Sequence, residues 1–593
     1  VTEAGIDLTA ANNAIANALT KDEADNALFD LRTARKLNAL KTNDIFKGSA
    51  PEDGVEYFFY NIGTGMWLNN GSDWNTHTAV DIYALPVTLV ADGENFKLKN
   101  HAFYRDEQWI NFNAYVDTGN QDLWFFEPVE GKENVYNIVV FDRHDLALGY
   151  NPYGHTDRGW DYHYPFNVAK EQTDMSDPNN QWKLVSRAEL EAIAEKADKY
   201  NPADVSYLIQ NPGLSRVWDI AKWTKECDGG NGGAHVTVGD DGDFNRNGDY
   251  GYEVWNSNSF SFTQQLTGLK PGVYEVSVNG FYRQGDGGFQ AGIVNEGGEL
   301  ISEAYLMAND EKVYLPNIAT EAGKLPGIFT QNSAAGTFPN WPAEALNAFE
   351  TGLYKVSLTV NVGEDGILTL GVKQDQKTTE ASWTLFDSFR LTYKGEPVTA
   401  VTLPATWNFS NWEAGKISNS TIVDGLTVLV SDPERTIDID ASKKTVEGVD
   451  YTQRLKLGGN GTETNRTLTF LAPGNFNIEI VLTSANTSNE RTLNIATGEF
   501  SNVVATMKAA AGDVKKEICS VEAELEEPVY IYSANSGINL YAIYLTEYDA
   551  TVTGITEVAT DGLKGQFYNL QGQKVNTPTK GLYIINGVKV IVK

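Results

Sequence analysis

DYGYEVWNSNSFSFTQQLTGLKPGVYEVSVNGFYR, residues 249–283, decides the fold class of this chain. Tyr274, Val276 and Val278 alternate with Glu275, Ser277 and Asn279, the period of a strand that buries one face. Leu269-Lys270-Pro271-Gly272 ahead of it is a turn, because Pro fixes its own φ and Gly accepts a positive one. Another strand, with Glu253, Trp255, Phe260 and Phe262, precedes the turn. The pattern returns at 351–360, where Tyr354, Val356, Leu358 and Val360 alternate with Lys355, Ser357 and Thr359, and it closes with WTLFDSFRLTY at 383–393. Antiparallel strands rich in aromatics predict a β-sandwich.

The rest of the chain extends that reading. Its 593 residues suffice for several domains at about 150 residues each. A net charge of −33 repels phosphate backbones and excludes nucleic acid as a partner. Cys227 and Cys519 are too few for a disulfide framework or a cysteine-built zinc site. No run has the length of a transmembrane helix. The chain opens at Val1 with neither Met nor a signal-like apolar stretch, which reads as a mature or trimmed form.

Helical periodicity is confined to residues 1–48, read as a helical hairpin or spacer, and to a short linker helix in 187–202 opened by the capping box Ser186-Arg187-Ala188-Glu189. Residues 49–186 carry short aromatic strands such as YFFYNIGTGMWL, DLWFFEPV and NQWKLVS. The opening sandwich spans 203–396, with an insertion at 284–350 and an exit at Gly395-Glu396-Pro397. Short strands separated by Gly459-Asn460-Gly461 and Ala472-Pro473-Gly474 predict another sandwich over 397–549. Two hairpins, YNLQGQKV and GLYIINGVKVIVK, end the chain within 550–593. The fold class is therefore mainly β, with tandem β domains behind a short helical hairpin.

Several chemistries can be placed from the residues alone. Asp243, Asn245, Asn247 and Asp249, with Gly248 and the following Glu253, set hard oxygen ligands at the spacing of a calcium loop. Val254 occupies the position where an EF-hand carries its bidentate Glu, so the loop reads either as a polar turn that needs Asn and Gly or as a sandwich loop holding structural Ca²⁺. Trp160 and Tyr162 fall in an aromatic loop suited to stacking on a sugar. Arg454 and Lys456 alternate along one strand, and with Arg491 could meet carboxylates of an acidic polysaccharide. No nucleophile elbow, zinc-protease helix, Walker loop or dinucleotide fingerprint is present in the sequence.

Four resemblances add to this. Residues 49–186 resemble the ricin-type β-trefoil, whose repeats carry Gln-x-Trp. Gln121-Asp122-Leu123-Trp124 has one residue more and Gln181-Trp182 one fewer, so that family's sugar contacts are not carried over by position. Glu253-Val254-Trp255, Gly280-Phe281-Tyr282-Arg283 and Trp383…Phe386-Asp387-Ser388-Phe389-Arg390-Leu391 resemble the galactose-binding-like jelly roll of carbohydrate-binding modules. That resemblance implies a ligand site among end loops, with stacking aromatics and polar hydrogen-bonders: Trp255, Tyr282, Arg283, Trp341 and Trp383. Trp255 and Trp383 also read as core aromatics at strand ends, whereas Trp341, beside Pro339 and Pro342 in a polar insertion, is harder to place in a core. The order WNFS…YTQRLKLGGNG…RTLTFLAPG…RTLNI…IYSANSGINLYAIYL is similar to a β-sandwich module found beside pectate lyases. The final hairpins resemble the C-terminal tail of secreted Bacteroidetes proteins.

Together these imply a secreted or outer-surface monomer that binds a polysaccharide or a host or plant glycan through several weak, linked modules. The alternatives are a glycoside hydrolase or polysaccharide lyase with its site in the jelly roll and 284–350, and an adhesin without sugar binding.

Overall fold

The structure, a computed structural model, describes residues 44–72, 77–101, 108–150, 168–170, 174–214, 222–237, 250–325 and 329–549, with short pieces at 13, 16–20, 567–569, 573–575, 581–585 and 588–592. The chain divides into two compact units, Val1–Ala197 with Pro202–Glu396, and Asp198–Asn201 with Pro397–Lys593. The sheets of both are antiparallel throughout the described strands, and no helix among the described residues is long and apolar enough to cross a membrane.

The first unit begins with a closed ring of six strands: Glu56–Asn61, Pro86–Asp92, Asn95–Asn100, Trp124–Pro128, Val135–Val140 and Trp182–Ser186. The last pairs with the first, which removes the open edges a flat sheet would leave. Paired strands Met66–Ser72 and His77–Asp81, the short strand Gln108–Trp109, and the pair Arg143–Tyr150 and Val168–Lys170 lie between successive ring strands. Three such units, two of four strands and one of three, around a six-stranded barrel make a β-trefoil. Two of the units share a device: Trp124 Nε1 donates to the Ile110 carbonyl at 3.0 Å and Trp182 Nε1 to that of Leu148 at 2.8 Å. Both indoles are fully buried, so these tryptophans close the barrel and offer no face to a ligand.

Ser186 caps the helix Arg187–Glu195, accepting from the Glu189 N–H at 3.2 Å. The Glu189 carboxylate does not complete a capping box on Ser186. It accepts instead from the backbone N–H groups of Lys47 and Gly48, tying the incoming chain to the helix start.

A two-sheet sandwich follows. One sheet runs Asn231–Thr237, Tyr250–Trp255, Trp383–Tyr393, Gly272–Arg283, Lys355–Val362, and the facing sheet Thr224–Asp228, Ser259–Leu266, Leu368–Gln374, Ala304–Ala308, Glu311–Tyr314. Tyr252, Val276, Val278, Tyr282 and Phe386 meet Phe262, Leu306 and Val372 in the core between them. The strand Gly272–Arg283 keeps its alternation only over its first part and is buried on both faces at Phe281–Arg283. The outer face there is covered by the insertion, whose Ile318, Phe338, Leu346 and Phe349 pack on Phe281, Trp383 and Leu385. At Ser388, φ +61°, the partner strand bulges and the register slips between Ser277 and Asn279.

The second unit is another sandwich. Its sheets are Gly415–Ile417, Ile437–Val446, Val449–Lys456, Ile538–Glu547, Phe476–Ser484, Lys515–Val521, and Thr421–Val423, Leu426–Val430, Asn465–Pro473, Leu525–Ser533, Arg491–Thr497, Val503–Ala509. Trp407, Phe470, Phe476, Ile480, Ile531 and Leu540 fill the space between them. The two terminal hairpins join into one four-stranded sheet through Phe567↔Ile585.

Candidate functional site

One transverse row of the jelly roll gathers most of the residues singled out above. Trp255 lies opposite Trp383, and Trp383 opposite Arg283. Residues directly opposite across antiparallel strands share a face, here the outer one. Exposure separates them: Trp383 is 2% and Arg283 5% exposed, whereas Trp255, at the strand end, is 39% exposed.

Arg283 organises the site. Its guanidinium carbon sits 4.8 Å from the centre of the Trp383 ring, a cation–π contact removed from water. Nε donates to the Gly285 carbonyl at 2.9 Å and Nη1 to Asn340 Oδ1 at 2.8 Å. Burial pulls its pKa down to about 10, against the opposing charges of Asp286 and Glu253. Neither carboxylate is close enough for an ion pair, so the cation is held by dipoles and a π face. The buried indole N–H of Trp383 has no hydrogen-bond partner among the described residues.

Two exposed aromatics flank this network, each fixed by a helix start. Asn340 is anchored by its own N–H, which donates to Glu344 Oε2 at 2.8 Å, while Glu344 Oε1 takes the Thr330 N–H at 3.0 Å. Trp341 is the next residue, at the N-cap of the helix Pro342–Phe349, with Pro342 supplying a pre-set φ. Its indole is 60% exposed. On the other side Asp286 Oδ1 accepts from the Phe289 N–H at 2.8 Å and caps the helix Gly287–Glu296. Phe289 is 53% exposed and folds back over Gly285, where φ is +63° and an added Cβ would stand 2.6 Å from its ring. At Gly287 an added Cβ would stand 2.4 Å from Asn340 Oδ1, so the two helix starts touch. Trp341, Asn340, Arg283, Gly285 and Phe289 thus form one chain of contacts: two apolar ring faces at the surface with a half-exposed amide between them.

The other expectations fare differently. Tyr282 and Trp383 are corrected to core residues. Tyr282 faces the inter-sheet core and donates to Glu303, and burial with that carboxylate pushes its phenol well above the usual range. Trp383 lies under the insertion. Arg283 is too buried to be a surface contact and acts as a positioning group for Asn340. Arg454 and Lys456 do share a strand face, but they oppose Asp440 and Asp438 in register. Arg454 Nε lies 2.7 Å from Asp440, and Lys456 Nζ 3.3 Å from the same carboxylate and 3.6 Å from Asp438. The Arg454 hydrogen bond holds the Asp440 carboxyl below the usual range, so this cationic pair is already neutralised. Arg491 donates to the Gly537 carbonyl. Trp160 and Tyr162 lie outside the described residues, as do Asp243, Asn245, Asn247 and Asp249 of the proposed calcium loop. Glu253 is described and half-buried on the outer face. Among the described residues no group of three His, Cys, Asp or Glu side chains is arranged to hold a metal.

Sequence reasoning missed Phe289 and Asn340. Gly287-Gly288-Phe289 resembles a turn, and only the return of Asn340 onto the same helix start shows that its ring belongs to a site.

No family model matches the chain, and no curated protein matches it in sequence. Among solved structures, the N-terminal CBM22-1–CBM22-2 tandem domain of Xyn10C from Paenibacillus barcinonensis aligns over 60% of this chain and 99% of its own, at 11% identity and a TM-score of 0.23. TmCBM61 in complex with β-1,4-galactotriose aligns over 31% of this chain and 97% of its own, at 15% identity and a TM-score of 0.18. A Paenibacillus xanthan lyase aligns over 79% of this chain and 36% of its own, at 10% identity and a TM-score of 0.18. At these scores the likenesses add nothing to what the strands and side chains show by themselves.

Proposed function

We propose that this protein binds glycans, and that the outer face of the jelly roll is a carbohydrate site built on Trp341 and Phe289. The observation that carries the reading is a pair of exposed aromatic rings fixed by helix starts on either side of an immobilised Asn340–Arg283 network. An exposed Trp on an ordinary surface has rotamer freedom and no polar companion of fixed orientation. Here the Asn340 Oδ1 is committed to Arg283, which leaves Nδ2 as the donor of a half-buried amide. An aromatic face stacks on the C–H side of a sugar ring, and a fixed amide orients one hydroxyl. Trp255 extends the same face at its strand end.

The mechanism is non-catalytic and multivalent: single sites of modest affinity gain by linkage when the domains meet one polymer. A secreted or cell-surface location follows from that role and from the C-terminal hairpins. The test is affinity electrophoresis of the whole chain through gels containing galactan, xylan, glucan or mucin glycans. Retention by at least one of them, lost in Trp341→Ala, is the expected result. Retention equal in wild type and variant overturns the site, and retention by none overturns the reading.

A further inference from the structure

A second, chemically different site stands at one end of the second sandwich. Three arginines converge there on the loop Gly458-Gly459-Asn460-Gly461. Arg435 Nη2 donates to the Asn460 carbonyl at 3.3 Å. The Arg466 guanidinium lies along the glycines: an added Cβ on Gly459 would stand 2.6 Å from its Nη1, and one on Gly458 3.5 Å from its Cζ. Arg491 Nη1 donates to the Gly537 carbonyl, and Gly537 in turn abuts Gly458.

All three arginines are half-buried, and none forms an ion pair among the described residues. That is anomalous in a chain with 79 acidic and 46 basic residues, where neutralising partners are in excess. On a neighbouring strand Arg454 and Lys456 have carboxylates on them. The nearby acids are committed elsewhere: Asp438 to Thr436 and Lys456, and Asp432 to the Glu434 N–H. Burial, and after it the proximity of Arg435, depress the pKa of Arg466, and the charges of Asp432 and Asp438 offset this only in part.

A further observation points to a ligand. Asn465 is 2% exposed, yet neither its Oδ1 nor its Nδ2 has a hydrogen-bond partner, and the adjacent Nε of Arg466 is equally orphaned. Buried polar groups are almost always paired, so three orphaned atoms on adjacent residues require an explanation. Arg466, with φ at +53°, is the extra residue of a β-bulge where the register slips between Leu429↔Thr467 and Val430↔Asn465. The loops that carry these groups are tied together by Ser431 Oγ donating to Thr464 Oγ1 at 3.1 Å.

We infer that residues 431–435 and 457–466, with Arg491, form a binding site for the carboxylate of an acidic polysaccharide, a polyuronide. Guanidinium groups pair with carboxylates through parallel N–H donors. The orphaned amide of Asn465, with one donor group and one acceptor, matches a ring hydroxyl beside the acid. A densely charged polyanion fits less well, because nucleic acid carries a charge about every 1.7 Å and the net −33 of this chain repels it. A polymer with one carboxylate per ring keeps hydroxyls available for Asn465.

This inference rests on the glycan-binding reading but places its ligand on a different sandwich. The test uses the whole chain against polygalacturonate, its fully methyl-esterified form, dextran sulfate and neutral galactan. The expected result is retention by polygalacturonate, weakened at least ten-fold both by esterification and in Arg435→Gln/Arg466→Gln, with thermal melting unchanged. Gly459→Ala, which displaces only the end of the Arg466 side chain and needs no unusual φ, is expected to weaken polygalacturonate binding at least three-fold in a folded protein. Equal retention of acid and ester, wild-type affinity in the double variant, or stronger binding to dextran sulfate overturns it. Loss of polygalacturonate binding in Trp341→Ala alone also overturns it, by moving the acid to the jelly roll. Retention of neutral galactan without polygalacturonate defeats this inference and leaves the jelly-roll reading standing. Retention of nothing defeats both.

Discussion

The jelly roll and the second sandwich share a two-sheet antiparallel plan, yet they treat a buried or half-buried arginine in opposite ways. In the jelly roll an insertion lies over the outer face of one sheet, and Arg283 beneath it is held by a tryptophan ring, a carbonyl and an amide. In the second sandwich Arg454 and Lys456 pair instead with aspartates directly across the strand. Its arginines without an ion pair among the described residues stand at two strand starts and in one adjoining turn. The difference teaches that an added layer converts a charge into a scaffold for exposed aromatics, while strands paired in register neutralise their charges locally. The ring-stacking site proposed above draws on the first arrangement, and the proposed carboxylate site lies in the second sandwich.

The largest expected effect tests the covered layer. Trp383→Ala removes the ring beneath Arg283 and should destabilise the jelly roll by about 3–5 kcal/mol, as for other fully buried aromatics. It should be read as lost hydrogen-exchange protection on Trp383–Tyr393, with the second sandwich unaffected. Equal loss in both would show that they do not respond separately. Next comes Leu468→Ala in the second sandwich, expected at about 2–5 kcal/mol and confined to strands of that domain.

Trp341→Ala and Phe289→Ala stand between stability and function. Each should change stability by less than about 0.5 kcal/mol and lower glycan affinity about ten-fold or more, as expected of an aromatic anchor. A drop in melting temperature as large as that of Trp383→Ala would make them core residues and remove the contrast.

The smallest effect concerns the neutralised pair. Asp440 has a depressed pKa in the folded chain, so its contribution is present above the unfolded carboxyl value and is lost as pH falls through the folded one. With both partners roughly one-third exposed, Asp440→Asn should cost less than about 1 kcal/mol at neutral pH. The difference from wild type should shrink with added salt and vanish at acid pH in denaturant melts. A larger cost, insensitive to salt, would place that pair in a buried network like that of Arg283.

The sequence by itself determined the β character, because period-two alternation is written in neighbours such as Tyr274, Val276 and Val278. In the sequence Gly395-Glu396-Pro397 marks an exit, and Trp341 stands out by its prolines and polar surroundings. Local pattern was blind to whatever arrives from far along the chain. Phe281-Tyr282-Arg283 resembles an ordinary strand end until the insertion packs on its second face and Asn340 reaches Arg283. Arg454 and Lys456 resemble a free basic face until Asp440 and Asp438 stand opposite in register. Arg466 drew no notice, because an unpaired charge is defined by the absence of a neighbour in space. Alternation reports one face of one strand. The second face, the pairing partner and the missing counter-charge are long-range facts, and only the tertiary structure decided them.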